Sequence, residues 1–380
     1  MKNIYYWSPC LSKVGTYKST INSAISLAKL SNKFSVKVIN VCGEWKSEKQ
    51  IFEKNNVELI NLGFNYFSFL PKTGFIKSRI SYLIIILISF IPLIMLIKKR
   101  KPDYLIIHLI TSLPIFLSKF FKSQTRFVLR ISGYPKLTII RQMWWKYFSN
   151  YIYFVTSPSK DLVNQLHQKN IFKKEIIKFL PDPIIDIKKF LRKKNETMNI
   201  FVPTKKNFFI SVGRLTKQKN FQYLINEFNE FIKLNNDYDL LIFGEGEDKK
   251  VLNQLIKKYG LKNRIFLMGF NDNVDKYLEK AEAFILSSLW EDPGFVLIEA
   301  AMSNLFIVSS NCKNGPIEFL NNGKGGILFE TNQKEALINS LKEYISLTEK
   351  KKFSMKIEAK KNCYKYTSFR HSNIFQKILI

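Results

Sequence analysis

The stretch FFISVGRLTKQKNFQYLINEF, residues 208–228, carries two periodicities in succession. Phe208 to Val212 is an almost unbroken apolar run, and Gly213 ends it. From Phe221 the spacing changes. Phe221, Leu224, Ile225 and Phe228 recur at intervals of three and four, the period of a helix with one buried face. A strand apolar on both sides, a glycine turn and an amphipathic helix make half of a β–α–β unit, whose strand is covered on both faces.

The same alternation extends outward in both directions. Apolar runs stand at 3–7, 36–41, 57–62, 104–110, 126–131 and 151–156, and again at 208–213, 239–244, 264–269, 283–288, 305–310 and 326–329. Helical spacing separates them, as in Ile21, Ala24, Ile25 and Ala28. Strands linked through helices imply parallel pairing and an α/β fold. Twelve such runs exceed what one open sheet normally carries, so two sheets are expected. The boundary is expected at PDPIID, Pro181 to Asp186, where two prolines and a Lys-rich 188–195 stretch break the alternation.

With 380 residues, 46% hydrophobic and 14% aromatic, the chain can bury two ordinary cores and is neither disordered nor fibrous. Cys10, Cys42, Cys312 and Cys363 show no CxxC or Cys/His spacing, which excludes a disulfide scaffold and a structural zinc site and suits a reducing compartment. The formal charge is +30, unevenly spread. Residues 1–200 hold 33 Lys/Arg against 10 Asp/Glu, residues 201–350 hold 19 against 19, and residues 351–380 hold 8 against 1. A basic field of that kind draws phosphate: nucleic acid, anionic lipid head groups or a diphosphate substrate. Met1 to Trp7 reads as a strand and not as the start of a signal peptide. SYLIIILISFIPLIMLI, residues 81–97, is uncharged and sits at the lower limit for a membrane span, with Pro92 inside it and Lys98, Lys99 and Arg100 directly after. It reads either as a helix packed on a sheet or as one that dips into a membrane.

Ligands of open α/β sheets gather at the carboxyl ends of the strands, and several polar clusters stand there. In FISVGRLTKQKNF, Gly213 closes a strand and Arg214 and Lys219 lie before the next helix; this is either a diphosphate cradle or a solvated basic loop. In LSSLWEDPGFVLIEAA, Glu291 lies in a strand-end loop and Glu299 follows eight residues later, on a helix expected to begin near Pro293. The two acids read as a cap and an exposed side chain, or as a ligand-binding pair. Glu299 stands between Ile298 and Ala300 on an apolar helix, and a carboxylate there needs a partner, which a pair of sugar hydroxyls would supply. IFGEGED, residues 242–248, places Gly244 and Gly246 after a strand, where a ligand can approach the backbone or the chain can simply turn. NCKNGPIEFLNNGKGG, residues 311–326, has Gly315 and Pro316 opening a short helix. In SPCLSKVGTYKSTIN, Gly15 and Thr16 precede the first helix, where backbone amides could hold a phosphate. His108, inside YLIIHLI, is either a satisfied core residue or a strand-end site residue. There is no GxxxxGK[ST] nucleotide loop. Asp237-Tyr238-Asp239 has DxD spacing but precedes its strand, so no catalytic metal is expected.

Taken together, the E-x7-E pair Glu291/Glu299, Gly213-Arg214 with Lys219, the GEG turn and the NGPIE loop resemble the retaining glycosyltransferases of family four, which have the GT-B architecture. The likeness is strongest over 207–330. Gly15-Thr16 looks like a reduced form of the family's N-terminal glycine loop, PDYLIIH is similar to its strand ending in histidine, and SPSKDL at 157–162 to its usual helix start. The resemblance implies two Rossmann-like domains facing across a cleft: an acceptor domain over 1–185, joined by a returning C-terminal helix at about 355–380, and a donor domain over 186–354. It implies a nucleotide-sugar donor, UDP-linked before GDP-linked, and no cofactor beyond that substrate. Arg214 and Lys219 would neutralise the diphosphate, with Gly15 and Thr16 closing on it. Glu299 would accept the ribose hydroxyls beside Gly213, Gly244 and Gly246. Glu291 would place the sugar and His108 would lie near its anomeric side. The acceptor would be lipid-linked or a saccharide, in bacterial surface polysaccharide assembly such as lipopolysaccharide or capsule. The sequence departs from the family in EDPGF, where relatives have EGFG, in Asn304, where glycine is common, and in lacking a glycine pair near Gly15.

Those expectations place the enzyme in the cytoplasm, on the inner face of the cell membrane, with the basic half against anionic lipid and Phe64, Phe67, Phe69, Phe75 and the 81–97 stretch as apolar contacts. Two rivals compete. A nucleic-acid-binding protein fits the pI of about 9.8, but the chain shows no binding motif and its charge avoids the half with the best-formed site. A GT-B-type sugar-nucleotide epimerase or phosphorylase fits the same architecture, although no phosphate or cofactor-lysine site for phosphorolysis is visible.

Overall fold

The structure is a computed structural model that describes residues 1–11, 15–71, 75–135, 137–196 and 198–380, and of residues 75–77, 193 and 194 the backbone alone. The chain divides into two compact units, Met1–Ile184 with Thr367–Ile380, and Ile185–Tyr366.

The first unit is built on seven parallel strands: β1 (Lys2–Trp7), β2 (Phe34–Asn40), β3 (Val57–Asn61), β4 (Tyr104–Ile107), β5 (Arg126–Arg130), β6 (Phe154–Ser157) and β7 (Ile177–Phe179), in the order 3-2-1-4-5-6-7. The order reverses between β1 and β4, the switch point at which open α/β sheets bind ligands. Alternate residues of the strands feed two cores. Ile4, Tyr6, Tyr104, Ile106 and Val128 pack under the helices Gly15–Leu30 and Ser368–Leu379. Tyr5, Trp7, Leu105, Ile107 and Leu129 pack under Phe75–Arg100, Ser112–Phe121, Ile139–Phe148 and Lys160–Lys169. This is why the strands read as apolar runs and not as alternating patterns. β7 is the strand that the pattern missed: it has three residues, Ile-Lys-Phe, in a Lys-rich segment, too few to show a period.

The second unit has six parallel strands: β8 (Asn207–Val212), β9 (Tyr238–Phe243), β10 (Ile265–Gly269), β11 (Ala283–Leu286), β12 (Phe306–Ser310) and β13 (Ile327–Phe329), ordered 10-9-8-11-12-13. Its switch point lies between β8 and β11. The helix Phe221–Leu234 buries Phe221, Leu224, Ile225 and Phe228, the face that the sequence marks out.

The C-terminal region corrects an expectation. In place of one helix over 355–380, Glu349–Asn362 is separate from Ser368–Leu379, with a 3-10 turn at Cys363–Tyr366 between them. Only the second helix belongs to the first unit. Thr367 caps it, accepting from the Arg370 amide. Its His371 is fully buried on a relay whose directions follow from the one obligate acceptor. Nδ1–H donates to the Pro181 carbonyl at 2.7 Å, Nε2 accepts from Ser23 at 2.8 Å, and Ser23 accepts from Tyr6 at 2.9 Å. Next to Pro181, Asp182 forms a buried ion pair with Arg130 and accepts from Ser19 at 2.9 Å. Both chain crossings between the units are thereby fastened to the first unit, and Ile185 N–H donates to Tyr366 O at 3.0 Å just beyond them.

Candidate functional site

The polar groups of the second unit collect at the carboxyl ends of β8, β9, β11 and β12, where backbone hydrogen bonds stitch the loops together. Gly213 N–H donates to Phe243 O at 2.9 Å, Leu215 N–H to Glu245 O at 3.0 Å, and Asp248 N–H to Leu215 O at 2.9 Å. This close approach requires the two glycines of GEG. A Cβ on Gly244 would lie 1.9 Å from Gly213 O, and Gly244 has φ +139°; a Cβ on Gly246 would lie 2.2 Å from Leu215 O. Gly213 lets the stem of Lys219 lie against the backbone, since a Cβ there would meet Lys219 Cε at 3.0 Å.

The EDPGF loop is held in the same way. Glu291 N–H donates to Lys313 O at 3.1 Å, and a Cβ on Gly315 would lie 2.3 Å from Pro293 O. The helix carrying Glu299 runs Phe295–Met302. It begins near Pro293, as expected: Gly294, at φ +89°, is its N-cap, and Pro293 stands just ahead of it. Glu299 therefore stands one turn in, half-buried. Pro316 opens its own short helix, Pro316–Phe319, with Gly315 as N-cap.

At the centre, Lys219 Nζ donates to Glu291 Oε1 at 2.5 Å, and Ser288 Oγ donates to the same oxygen at 2.6 Å. The side chains are 13% and 5% exposed, so the pair is largely withdrawn from water. Cys312 is buried beside it, and burial pushes its thiol up to about 12, so it stays protonated and contributes no charge. The family resemblance implies that Lys219 and Glu291 meet different parts of one ligand; the structure shows that they are each other's partners. Ser288, which completes the pair, was missed, because a serine at the end of an apolar strand carries no spacing signal. Arg214 is exposed in the loop between Gly213 and Leu215.

The other sequence-derived candidates lie in the first unit. His108 follows β4 directly and is buried, with Nδ1 2.9 Å from Thr20 Oγ1 and Nε2 2.7 Å from Ser132 Oγ. Burial first, and the Arg130 cation second, lower its pKa well below the usual imidazole value, so it is a neutral hydrogen-bonding group. Gly15 and Thr16 do not precede the first helix but form its first turn; residues 12–14, ahead of them, lie outside the described residues. Asp239 of the DxD spacing is engaged by Arg264 Nε at 2.5 Å and by Thr204. No group of three or more potential metal ligands occurs among the described residues.

Two parallel α/β sheets, each with a switch point, and a carboxylate–lysine pair at glycine-rich strand ends define a GT-B architecture. Residues 193–362, nearly the whole of the second unit, match the family model described as Glycosyl transferases group 1. The chain is 33% identical over 248 residues to an uncharacterized glycosyltransferase of Methanocaldococcus jannaschii, covering 59% of each chain. It is 27% identical over 235 residues to the Campylobacter jejuni N-acetylgalactosamine-N,N'-diacetylbacillosaminyl-diphospho-undecaprenol 4-alpha-N-acetylgalactosaminyltransferase, covering 60% of this chain and 62% of that one. The matches thus span about six-tenths of the length of these curated relatives. Anabaena HepE, solved in complex with UDP, superposes over 100% of this chain and 99% of its own with a TM-score of 0.71 at 14% identity, a likeness of fold.

Proposed function

We propose that the protein is a retaining glycosyltransferase that moves a sugar from a nucleotide-sugar, UDP-linked in the first instance, to a lipid-linked or saccharide acceptor in bacterial surface polysaccharide assembly. The observation that carries this reading is the buried Lys219–Glu291 pair set among the 213–215, 244–248 and 313–316 loops, with Glu299 one turn into the adjoining helix. The family match and the names of the relatives support it.

The second unit takes the donor. Lys219 and exposed Arg214 face the diphosphate, and the loops stitched through Gly213, Gly244 and Gly246 let phosphate and nucleoside approach the backbone. Glu299 accepts from the ribose hydroxyls. Glu291, held by Lys219 and Ser288, presents its remaining carboxylate oxygen to the hydroxyls of the sugar. As the bond from the anomeric carbon to the diphosphate oxygen breaks, negative charge grows on the leaving group, and fixed cations stabilise that state more than the ground state. The acceptor oxygen bonds to the anomeric carbon on the same face, and its proton passes to the departing phosphate oxygen. The atoms balance without an enzymic nucleophile, and none is assigned. His108, Gly15 and Thr16 are the first unit's contributions, with His108 acting as a neutral hydrogen-bonding residue. The first unit takes the acceptor, at the inner face of the cell membrane.

A thermal-shift panel of UDP-, GDP- and ADP-sugars tests this reading. A preferred donor raises the melting temperature by linkage, and Glu299→Ala abolishes the rise. An undiminished shift in that variant refutes the ribose assignment; a panel with no shift at all refutes the donor.

A further inference from the structure

The long helix Phe75–Arg100 has two apolar faces. Ile85, Leu93 and Ile97 are fully buried on the first unit's sheet. On the opposite side, Leu83, Leu87 and Ile91, spaced by four, are 61%, 74% and 65% exposed. By length and composition Ser78–Arg100 could cross a membrane, yet 33% of its apolar window is buried. A helix that gives Ile85, Leu93 and Ile97 to a sheet core cannot also stand across a bilayer without dismantling that core. It can only lie along a surface.

A second helix, Ile139–Phe148, shows the same pattern, which its sequence does not advertise. Ile139, Ile140, Met143 and Tyr147 are 76%, 80%, 67% and 60% exposed, while Trp145 and Phe148 enter the core. The intervening helix Ser112–Phe121 joins the two, because Phe116 packs on Phe90 of the first and stacks on Trp144 of the second. All three helices cover one face of the sheet, so the exposed apolar side chains of the first and third lie on the same side of it. Monomeric proteins seldom leave so much exposed.

Charge indicates what meets it. Asp103 is the only acidic residue between Glu58 and Asp161, against fifteen Lys/Arg, and Asp103 itself accepts from the Asn3 amide. Lys98, Lys99, Arg100, Lys119, Lys122 and Lys146 are exposed at the C-terminal ends of the three helices. Apolar helix faces with cations at their C-terminal ends and no acid on any of the three helices match the boundary between acyl chains and anionic head groups. A second copy of the chain would bring the same cations against themselves.

We propose that the outer faces of Phe75–Arg100 and Ile139–Phe148 seat the first unit on an anionic lipid bilayer, the long helix lying in the plane of the membrane. This deepens the reading above by naming the surface that brings the enzyme to a membrane-held acceptor. It also reassigns the contacts expected from sequence. Phe64 and Phe67 pack against the core while Phe69 is exposed, the Phe75 side chain lies outside the described residues, and the 139–148 helix joins the surface.

The test is flotation of the full chain with phosphatidylcholine vesicles with and without about 30 mol % phosphatidylglycerol. Binding is expected to the anionic vesicles and to weaken with salt. Leu87→Glu/Ile91→Glu and, separately, Ile139→Glu/Ile140→Glu are expected to lower it about tenfold or more each. Hydrogen exchange should slow in both helices when anionic vesicles are present. Wild-type protein that ignores anionic vesicles, or glutamate variants that float as well as wild type, would overturn the proposal. So would a dimer in lipid-free solution that the same variants split. The substituted positions are exposed and outside the donor site, so the nucleotide-sugar thermal shift should survive in them. A missing shift in protein that still floats would sink the transferase reading and leave the seat standing, and the reverse result would do the opposite.

Discussion

Replacing Lys219 by methionine separates the central pair while keeping the length of the side chain. In the structure Lys219 Nζ is 2.5 Å from Glu291 Oε1, and the carboxylate side chain is only 5% exposed. After Lys219→Met, Glu291 retains the Ser288 bond at 2.6 Å but no cation. Removing one partner from a buried pair costs about 3–5 kcal/mol, because the surviving charge is left uncompensated in a poorly solvated place. In a unit the size of Ile185–Tyr366, each kcal/mol moves the melting temperature by roughly 2–4 °C, so the fall should be about 6–20 °C. The two units need not unfold together, so differential scanning calorimetry is the assay, and the transition of the second unit is the one that should move. Adding Glu291→Gln to Lys219→Met removes the stranded charge and leaves an amide that can still bond Ser288. The double variant should therefore regain stability, with a coupling of about 1–3 kcal/mol between the sites. A Lys219→Met variant that loses less than about 1 kcal/mol, or a double variant whose losses simply add, would show that the pair is not a buried unit, contrary to the geometry.

Further outcomes can be measured independently. Gly244→Ala should abolish the donor-induced thermal shift and cost roughly 2–4 kcal/mol by calorimetry, since its methyl would lie 1.9 Å from Gly213 O at a φ of +139°. Asp182→Ala should destabilise the first unit by about 3–5 kcal/mol in the same measurement, because it strands the Arg130 guanidinium, whose Nε and Nη1 already lack partners among the described residues. His108 and His371 are both held below the usual imidazole value, by burial first and by Arg130 second. Folding therefore favours their neutral forms, and the stability they contribute is complete above the unfolded pKa of about 6.5 and is lost as pH falls below it. Urea midpoints should drop below about pH 6.5, by up to about 1.4 kcal/mol per pH unit for each histidine. His371→Gln should remove part of that slope, and an unchanged slope would assign it elsewhere.

Much of this protein was legible before any fold was known, because both the strand and the helix periods report burial of neighbouring residues. The run Phe208–Val212 followed by the Phe221, Leu224, Ile225, Phe228 spacing is enough to define a β–α unit, and twelve such runs imply two sheets. The strand-end positions of Gly213, Gly244 and Glu291, and the helical position of Glu299, follow from the same local reading. β7 was not legible, because three residues are too short for a period. Nor was the break between Asn362 and Ser368, since Cys363–Thr367 holds no glycine or proline to mark a helix end.

What only the tertiary structure decided are the relations between residues distant in sequence. Lys219 and Glu291, seventy-two residues apart, become partners because β8 and β11 are neighbours in the sheet. Gly244 proves indispensable because the 213–215 backbone lies against it. The 139–148 helix looks merely mixed in sequence, yet it presents Ile139, Ile140 and Met143 outward because Trp145 and Phe148 are already committed to the sheet. Periodicity reports that a residue has a buried side or an exposed one. Which atoms meet it there depends on strand order and helix placement, which no local pattern encodes.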